Sequence, residues 1–154
     1  MPVPAAVRVR GLVVVAGMGG SAAAGGDLVA ACAADTLDVP ILVHRGYGLP
    51  AAAGRESLVV ALSYSGDTAE VLSAVDVASG RRIPVVAVTA GGALGSLSAG
   101  ARACPRDIAG RPLMPRMALG YLAFPLLTVL AACGLPCRQR GRHRGRADRG
   151  RGPG

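Results

Sequence analysis

The sequence predicts an α/β protein with a parallel sheet, built as a three-layer α/β/α sandwich. Three observations predict it. Short apolar, β-branched runs alternate with helix-length segments along most of the 154 residues. The runs are continuously apolar instead of alternating, as strands covered on both faces are. Each of the clearest runs ends in a turn rich in Gly, Ser or Thr, where a parallel strand hands over to its crossover helix.

Residues 1–10 form a short lead. Residues 11–16 read as a buried strand through Leu12-Val13-Val14-Val15. A Gly-rich turn, Gly17-Met18-Gly19-Gly20-Ser21, follows, and an Ala-rich helix over 22–34 follows that, weakened by Gly25-Gly26. Ile41-Leu42-Val43-His44 is the second strand. A loop over 45–55 carries Gly46, Gly48 and Pro50. Leu58-Val59-Val60-Ala61-Leu62 is the third strand, and a helix over 67–79 leaves its end. The fourth strand is 84–88, then Thr89-Ala90-Gly91-Gly92 and a helix over 94–101. A weaker fifth strand is expected at 103–108. A long apolar helix is expected over 112–135, with Pro125 inside it. The domain proper is thus 11–135.

Composition narrows the class. Hydrophobic residues make up 51% of the chain but aromatics only 3%, so Val, Leu, Ile and Ala must build the core. The net charge of +8 divides unevenly: residues 1–137 hold ten Arg and eight acidic residues, whereas 138–154 hold seven Arg and one Asp. The body is nearly neutral. The tail, 136–154, is expected to be disordered, because it has too few apolar residues to offset the entropy of ordering. Its Arg-Gly-Pro strings match a shifted reading frame of GC-rich DNA better than a selected nucleic-acid arm, and no nucleic-acid partner is expected. Residues 117–135 are uncharged and precede Arg residues, which also suits a membrane span. Ala, Gly120, Tyr121 and Pro125 dilute that pattern, so no membrane association is expected. Cys32, Cys104, Cys133 and Cys137 lack C-x-x-C spacing and histidine partners, which predicts free thiols in the cytoplasm and no metal site.

Candidate chemistry gathers where strands one, three and four end. Ser63-Tyr64-Ser65-Gly66-Asp67-Thr68 places three hydroxyls and a Gly at a helix start, where free N–H groups and the dipole favour an anion. An ordinary strand–turn–helix with Asp67 near the N-cap is the plainer alternative. Residues 17–22 formally fit G-x-G-x-x-G/A, but strand two ends in His44-Arg45 instead of the acid that a dinucleotide ribose needs. With no Lys in the chain, a Walker phosphate loop is excluded, and no cofactor is expected. His44 is either structural or catalytic, and Tyr47 either covers the pocket or closes its loop. Arg116 opposes the dipole of the helix it begins, which suggests a bound anion as its counter-charge.

Four stretches in order carry a resemblance: Gly17-Met18-Gly19-Gly20-Ser21-Ala22, His44-Arg45-Gly46-Tyr47-Gly48-Leu49-Pro50, Ser63 through Thr68, and Pro115-Arg116-Met117-Ala118-Leu119-Gly120-Tyr121. Together they resemble the sugar isomerase (SIS) domain of the bifunctional phosphoglucose/phosphomannose isomerase family, over about residues 12–135. The resemblance implies a flavodoxin-like, five-stranded fold and a sugar phosphate ligand. It implies that Gly19, Gly20 and Ser21 border the sugar and that Ser63, Ser65 and Thr68 hold the phosphate. Arg116 would stabilise the cis-enediolate of aldose–ketose isomerisation. A homodimer, or pairing with a second SIS domain, is also implied. The family's glutamate base and ring-opening histidine come from that second domain, so the chain is expected to be an N-terminal half, truncated or frame-shifted. A non-catalytic sugar-phosphate sensor is the alternative.

Overall fold

Strands one to four assemble as the alternation predicts, into a four-stranded parallel sheet of order β2-β1-β3-β4. They are β1 (Val13–Gly17), β2 (Ile41–His44), β3 (Leu58–Leu62) and β4 (Val85–Val88). The computed structural model describes residues 9–97 and 118–135. The expected fifth strand at 103–108, Arg116, Cys104, Cys137 and the tail lie outside the described residues. Val13 pairs with Ile41 on one side and Leu58 on the other, and Val59 pairs with Val85.

The helices are α1 (Gly19–Ala33), α2 (Ala69–Gly80), α3 (Gly92–Leu97) and α4 (Leu119–Ala132). The period-two alternation of each strand divides the core between them. Val13, Val15, Leu58, Val60, Leu62, Val86 and Val88 pack with Val29 of α1 and Leu122, Leu126, Val129 and Leu130 of α4. On the opposite face, Val14 and Val59 pack with Ala78, and Ala61 and Ala87 with Val71, Val75 and Leu94. So α1 and α4 form one outer layer, and α2 and α3 the other. Both central strands, β1 and β3, are fully buried, which is why they lack polar residues. The edge strand β2 buries less, and its Leu42 is 41% exposed.

Three helix starts depart from the sequence reading: α3 begins at Gly92, two residues before the expected 94, and the other two are α1 and α2. Residues 98–101 and 112–117 of the expected helices lie outside the described residues. α1 begins at Gly19, so the Gly-rich turn is already the helix's first turn. α2 begins at Ala69 with Thr68 as N-cap, two residues after the expected Asp67. The Gly25-Gly26 pair, which weakens α1 locally, has a packing reason at one of its two positions. A Cβ on Gly26 would stand 2.9 Å from Val15 Cγ1 and 3.3 Å from Val43 Cγ2, so the missing side chain sets how closely α1 meets the sheet. At Gly25 the nearest atom would be 3.6 Å away, ordinary contact. Gly25→Ala is therefore expected to stabilise the fold by up to about 1 kcal/mol through helix propensity. Gly26→Ala is expected to destabilise it by about 1 kcal/mol, because stiff valines must move. Urea denaturation of the two variants checks this, and equal midpoints would contradict the packing explanation.

No described helix is long and apolar enough to cross a membrane.

Candidate functional site

The order β2-β1-β3-β4 reverses direction between β1 and β3, and at such a switch point the loops leave toward opposite faces and open a crevice. The two strands end in register, Gly17 opposite Leu62. From Gly17 the chain enters α1 on one face, and from Leu62 it enters α2 on the other. Met18 and Thr68, the two N-cap residues, are extended, and neither side chain caps its helix. The first N–H groups of both helices are thus left to other partners.

The turn after β3 is held by its own hydroxyls. Ser63 is buried, with 2% exposure. Its Oγ accepts from the Gly66 N–H at 3.0 Å and lies 2.8 Å from Thr68 Oγ1. When Ser63 donates in that pair, the Thr68 hydrogen is free to point elsewhere. Ser65 is exposed, and its Oγ accepts a long bond, 3.4 Å, from the Asp67 N–H. Gly66 has φ +82°, and a Cβ there would stand 1.8 Å from the Gly91 carbonyl oxygen. Only glycine lets the two turns approach this closely.

That second turn, between β4 and α3, is fastened to the first. Ala90 N–H donates to Tyr64 O at 3.2 Å, and Leu94 N–H donates to Gly66 O at 2.9 Å. Thr89 is 2% exposed, and its hydroxyl donates to Gly91 O and accepts from Gly91 N–H. Thr89 thus shapes its own turn. Asp67 does not cap α2; its Oδ1 accepts the Ala93 N–H of α3 at 2.8 Å. This contact joins residues 26 positions apart, and no local spacing announces it.

The turn after β2 reaches the same sheet edge. His44 Nε2 and Tyr47 O are 3.3 Å apart, which makes this imidazole part of its own turn. Tyr47 is 69% exposed, so the ring does not pack over a pocket. Gly48 N–H donates to Ser73 Oγ of α2 at 3.1 Å, and Arg45 pairs with Asp27 of α1. The loop therefore ties the two outer layers together beside the crevice.

Gly19, Gly20 and Ser21 form the first turn of α1 at the end of β1, and Ser63, Ser65 and Thr68 flank the start of α2 at the adjacent strand end. Of the sequence-derived site residues only Arg116 lies outside the described residues. The two glutamates separate. The Glu56 carbonyl accepts from Arg10 and Gly11 N–H ahead of β3, at the amino edge of the sheet, whereas Glu70 is in the first turn of α2. Among the described residues, no group of three or more His, Cys, Asp or Glu is placed to hold a metal ion. A recess of about 400 Å³ is lined, among the described residues, by Gly120, Tyr121, Phe124 and Pro125 of α4 and by no cradle residue. Burial pushes the thiol pKa of Cys133, at the end of α4, up.

The bifunctional phosphoglucose/phosphomannose isomerase of Caldicellulosiruptor bescii is 41% identical over 125 residues, 80% of this chain. That of Pyrobaculum calidifontis is 37% identical over 122 residues, 79% of the chain. The chain belongs to this family. It spans only 36% and 38% of the length of those two relatives. No family model matches the chain.

Solved structures show the same fold. An Escherichia coli CFT073 protein in complex with A5P superposes with a TM-score of 0.60 at 21% identity, over 82% of this chain and 71% of that one. The Vibrio vulnificus NanR protein complexed with ManNAc-6P gives 0.57 at 24% identity, over 83% and 49%. The SIS-type α/β fold is thus present, with four parallel strands among the described residues.

Proposed function

We propose that this chain is the phosphosugar-binding SIS domain of an aldose–ketose isomerase that interconverts glucose 6-phosphate or mannose 6-phosphate with fructose 6-phosphate. The observation that carries the reading is the start of α2. The helix has no side-chain cap there, and Ser63, Ser65 and Thr68 immediately precede it at the switch point of the sheet. A phosphate dianion would accept from Ser65, Thr68 and the helix N-terminus. Buried Ser63 would act by donating to Thr68, which turns the Thr68 hydrogen toward the anion. Gly19, Gly20 and Ser21, one strand away, would border the sugar ring. Arg116 would face the oxyanion of the enediolate. The activities carried in the relatives' names, and the phosphosugars carried in two neighbours' titles, support the same ligand class. Pairing with a second SIS domain or a second copy completes the proposal.

A second reading, a sugar-phosphate sensor without turnover, is favoured by the acid–base groups. Glu56 is at the wrong edge and His44 is engaged with its own turn. Proton transfer between C1 and C2 needs a base within hydrogen-bond reach. Asp67, inside the cradle, is engaged with the Ala93 N–H, which leaves Glu70 in the first turn of α2 as the next described carboxylate. The chain is therefore expected to bind a phosphosugar without converting it.

Fructose 6-phosphate should raise the melting temperature, because a ligand of the folded state alone stabilises it. Ser65→Ala should weaken binding about tenfold, one charge-assisted hydrogen bond. Arg116→Ala should weaken it less, since its partner develops only along the reaction. Absence of any thermal shift would remove the phosphosugar reading. Conversion of glucose 6-phosphate by the purified chain would remove the sensor reading and direct mutagenesis to Glu70 and His44.

A further inference from the structure

Asp67 presents an electrostatic difficulty. It sits between Ser65 and Thr68, and a free carboxylate there would repel the phosphate that those hydroxyls serve. The geometry resolves this. Oδ1 accepts the Ala93 N–H at 2.8 Å. A Cβ built on Gly92 would stand 2.7 Å from Oδ1 and 2.8 Å from Oδ2, so both carboxylate oxygens lie against the β4–α3 turn. The same Cβ would be 2.4 Å from Ser65 O, and Gly92 has φ +67°. Backbone, carboxylate and glycine thus meet with no space for an added carbon. Leu94 N–H on Gly66 O and Ala90 N–H on Tyr64 O fasten the same two turns through backbone alone, which the glycines at 66 and 92 permit. Asp67 is the side chain that joins them.

We propose that Asp67 is a positioning residue of the cradle. By holding the first turn of α3, it fixes the Ser65–Thr68 turn against β4 and keeps its own charge directed away from the anion. The proposal rests on the phosphosugar reading above. It identifies the length of the side chain, with a carbonyl-type oxygen at its tip, as what the site requires, and its negative charge as incidental to binding.

Two variants separate geometry from charge. Asp67→Asn keeps an acceptor oxygen at the same reach and loses the charge. Asp67→Glu keeps the charge but is one methylene longer, so its carboxylate no longer has the reach that places Oδ1 on the Ala93 N–H. Titration with fructose 6-phosphate, and hydrogen exchange at the Ala93 and Leu94 amides without ligand, are the two measurements. Asp67→Asn is expected to bind within about threefold of the parent chain and to keep both amides protected. Asp67→Glu is expected to bind about tenfold or more weakly, with Ala93 exchanging faster. Tighter binding by Asp67→Asn, with Asp67→Glu unchanged, would show that the carboxylate opposes the anion and overturn the proposal. So would faster exchange at Ala93 in Asp67→Glu with no loss of affinity. A parent chain that binds no fructose 6-phosphate while Ala93 remains protected would overturn the phosphosugar reading and the positioning role with it. A parent chain that binds, with all variants equal to it, overturns the positioning role alone.

Discussion

Gly66→Ala is expected to destabilise the fold by about 3 kcal/mol or more and to abolish phosphosugar binding. Two independent penalties act at this position. The backbone has φ +82°, a left-handed conformation that costs an L-residue about 1–2 kcal/mol. The new Cβ would also stand 1.8 Å from the Gly91 carbonyl oxygen and 2.8 Å from Thr89 Oγ1. The first of these partners is backbone, so no rotamer change relieves the clash, and overpacking of this kind costs about 1–3 kcal/mol. The two turns must separate, breaking the bonds from Ala90 N–H and Leu94 N–H that join them. For a chain of this length the melting temperature should fall by about 6–12 °C. Gly80→Ala, at the end of α2, is the control: no atom lies within 4 Å of its Cβ position, and its stability should not fall and should rise by up to about 1 kcal/mol through helix propensity. Thermal denaturation and a fructose 6-phosphate titration of both variants read the outcome. Equal melting temperatures would refute this account of the cradle.

The features that were legible in the sequence are those whose cause is local. Leu58-Val59-Val60-Ala61-Leu62 reads as a buried strand because a strand covered on both faces can carry nothing polar, and all five residues are buried. Ser63 through Thr68 reads as a hydroxyl-rich turn between strand and helix, and there Ser63 Oγ accepts the Gly66 N–H and meets Thr68 Oγ1. The remainder depends on contacts between distant segments. Asp67 has the chemistry of an N-cap for its own helix, yet it serves α3, since the β4–α3 turn is folded against it. Gly26 looks like a defect in α1 until the side chains of Val15 and Val43 are placed beneath it. Gly17 through Ser21 has turn composition, and the helix nevertheless begins at Gly19, because the packing of Ala22 and Val29 on the sheet outweighs glycine's poor propensity.

The apolar length of α4 has the same ambiguity, and its two faces supply the second large effect. Leu126→Ala should cost about 3 kcal/mol, whereas Phe124→Ser, two residues away, should leave stability within about 0.5 kcal/mol. Leu126 has 0% exposure and belongs to the cluster that joins α4 to β1, β3, β4 and α1. Truncation leaves a cavity that neighbours held by a rigid sheet cannot fill. Phe124 is 73% exposed, on the outward side with Tyr121 and Thr128. Pro125 removes one N–H from the helix interior without ending the helix, since packing rather than the hydrogen-bond ladder holds it in place. A helix apolar on both sides presents surface that water disfavours, and the outward face lines the recess of about 400 Å³. The proposed pairing with a second domain or copy would cover such surface, so the isolated chain is expected to self-associate through it. Phe124→Ser should then shift light scattering toward monomer while the urea midpoint stays fixed, and Leu126→Ala should lower the midpoint. A parent chain that is already a monodisperse monomer, or a Phe124→Ser variant that unfolds as readily as Leu126→Ala, would contradict this division of α4 into a structural and an associating face.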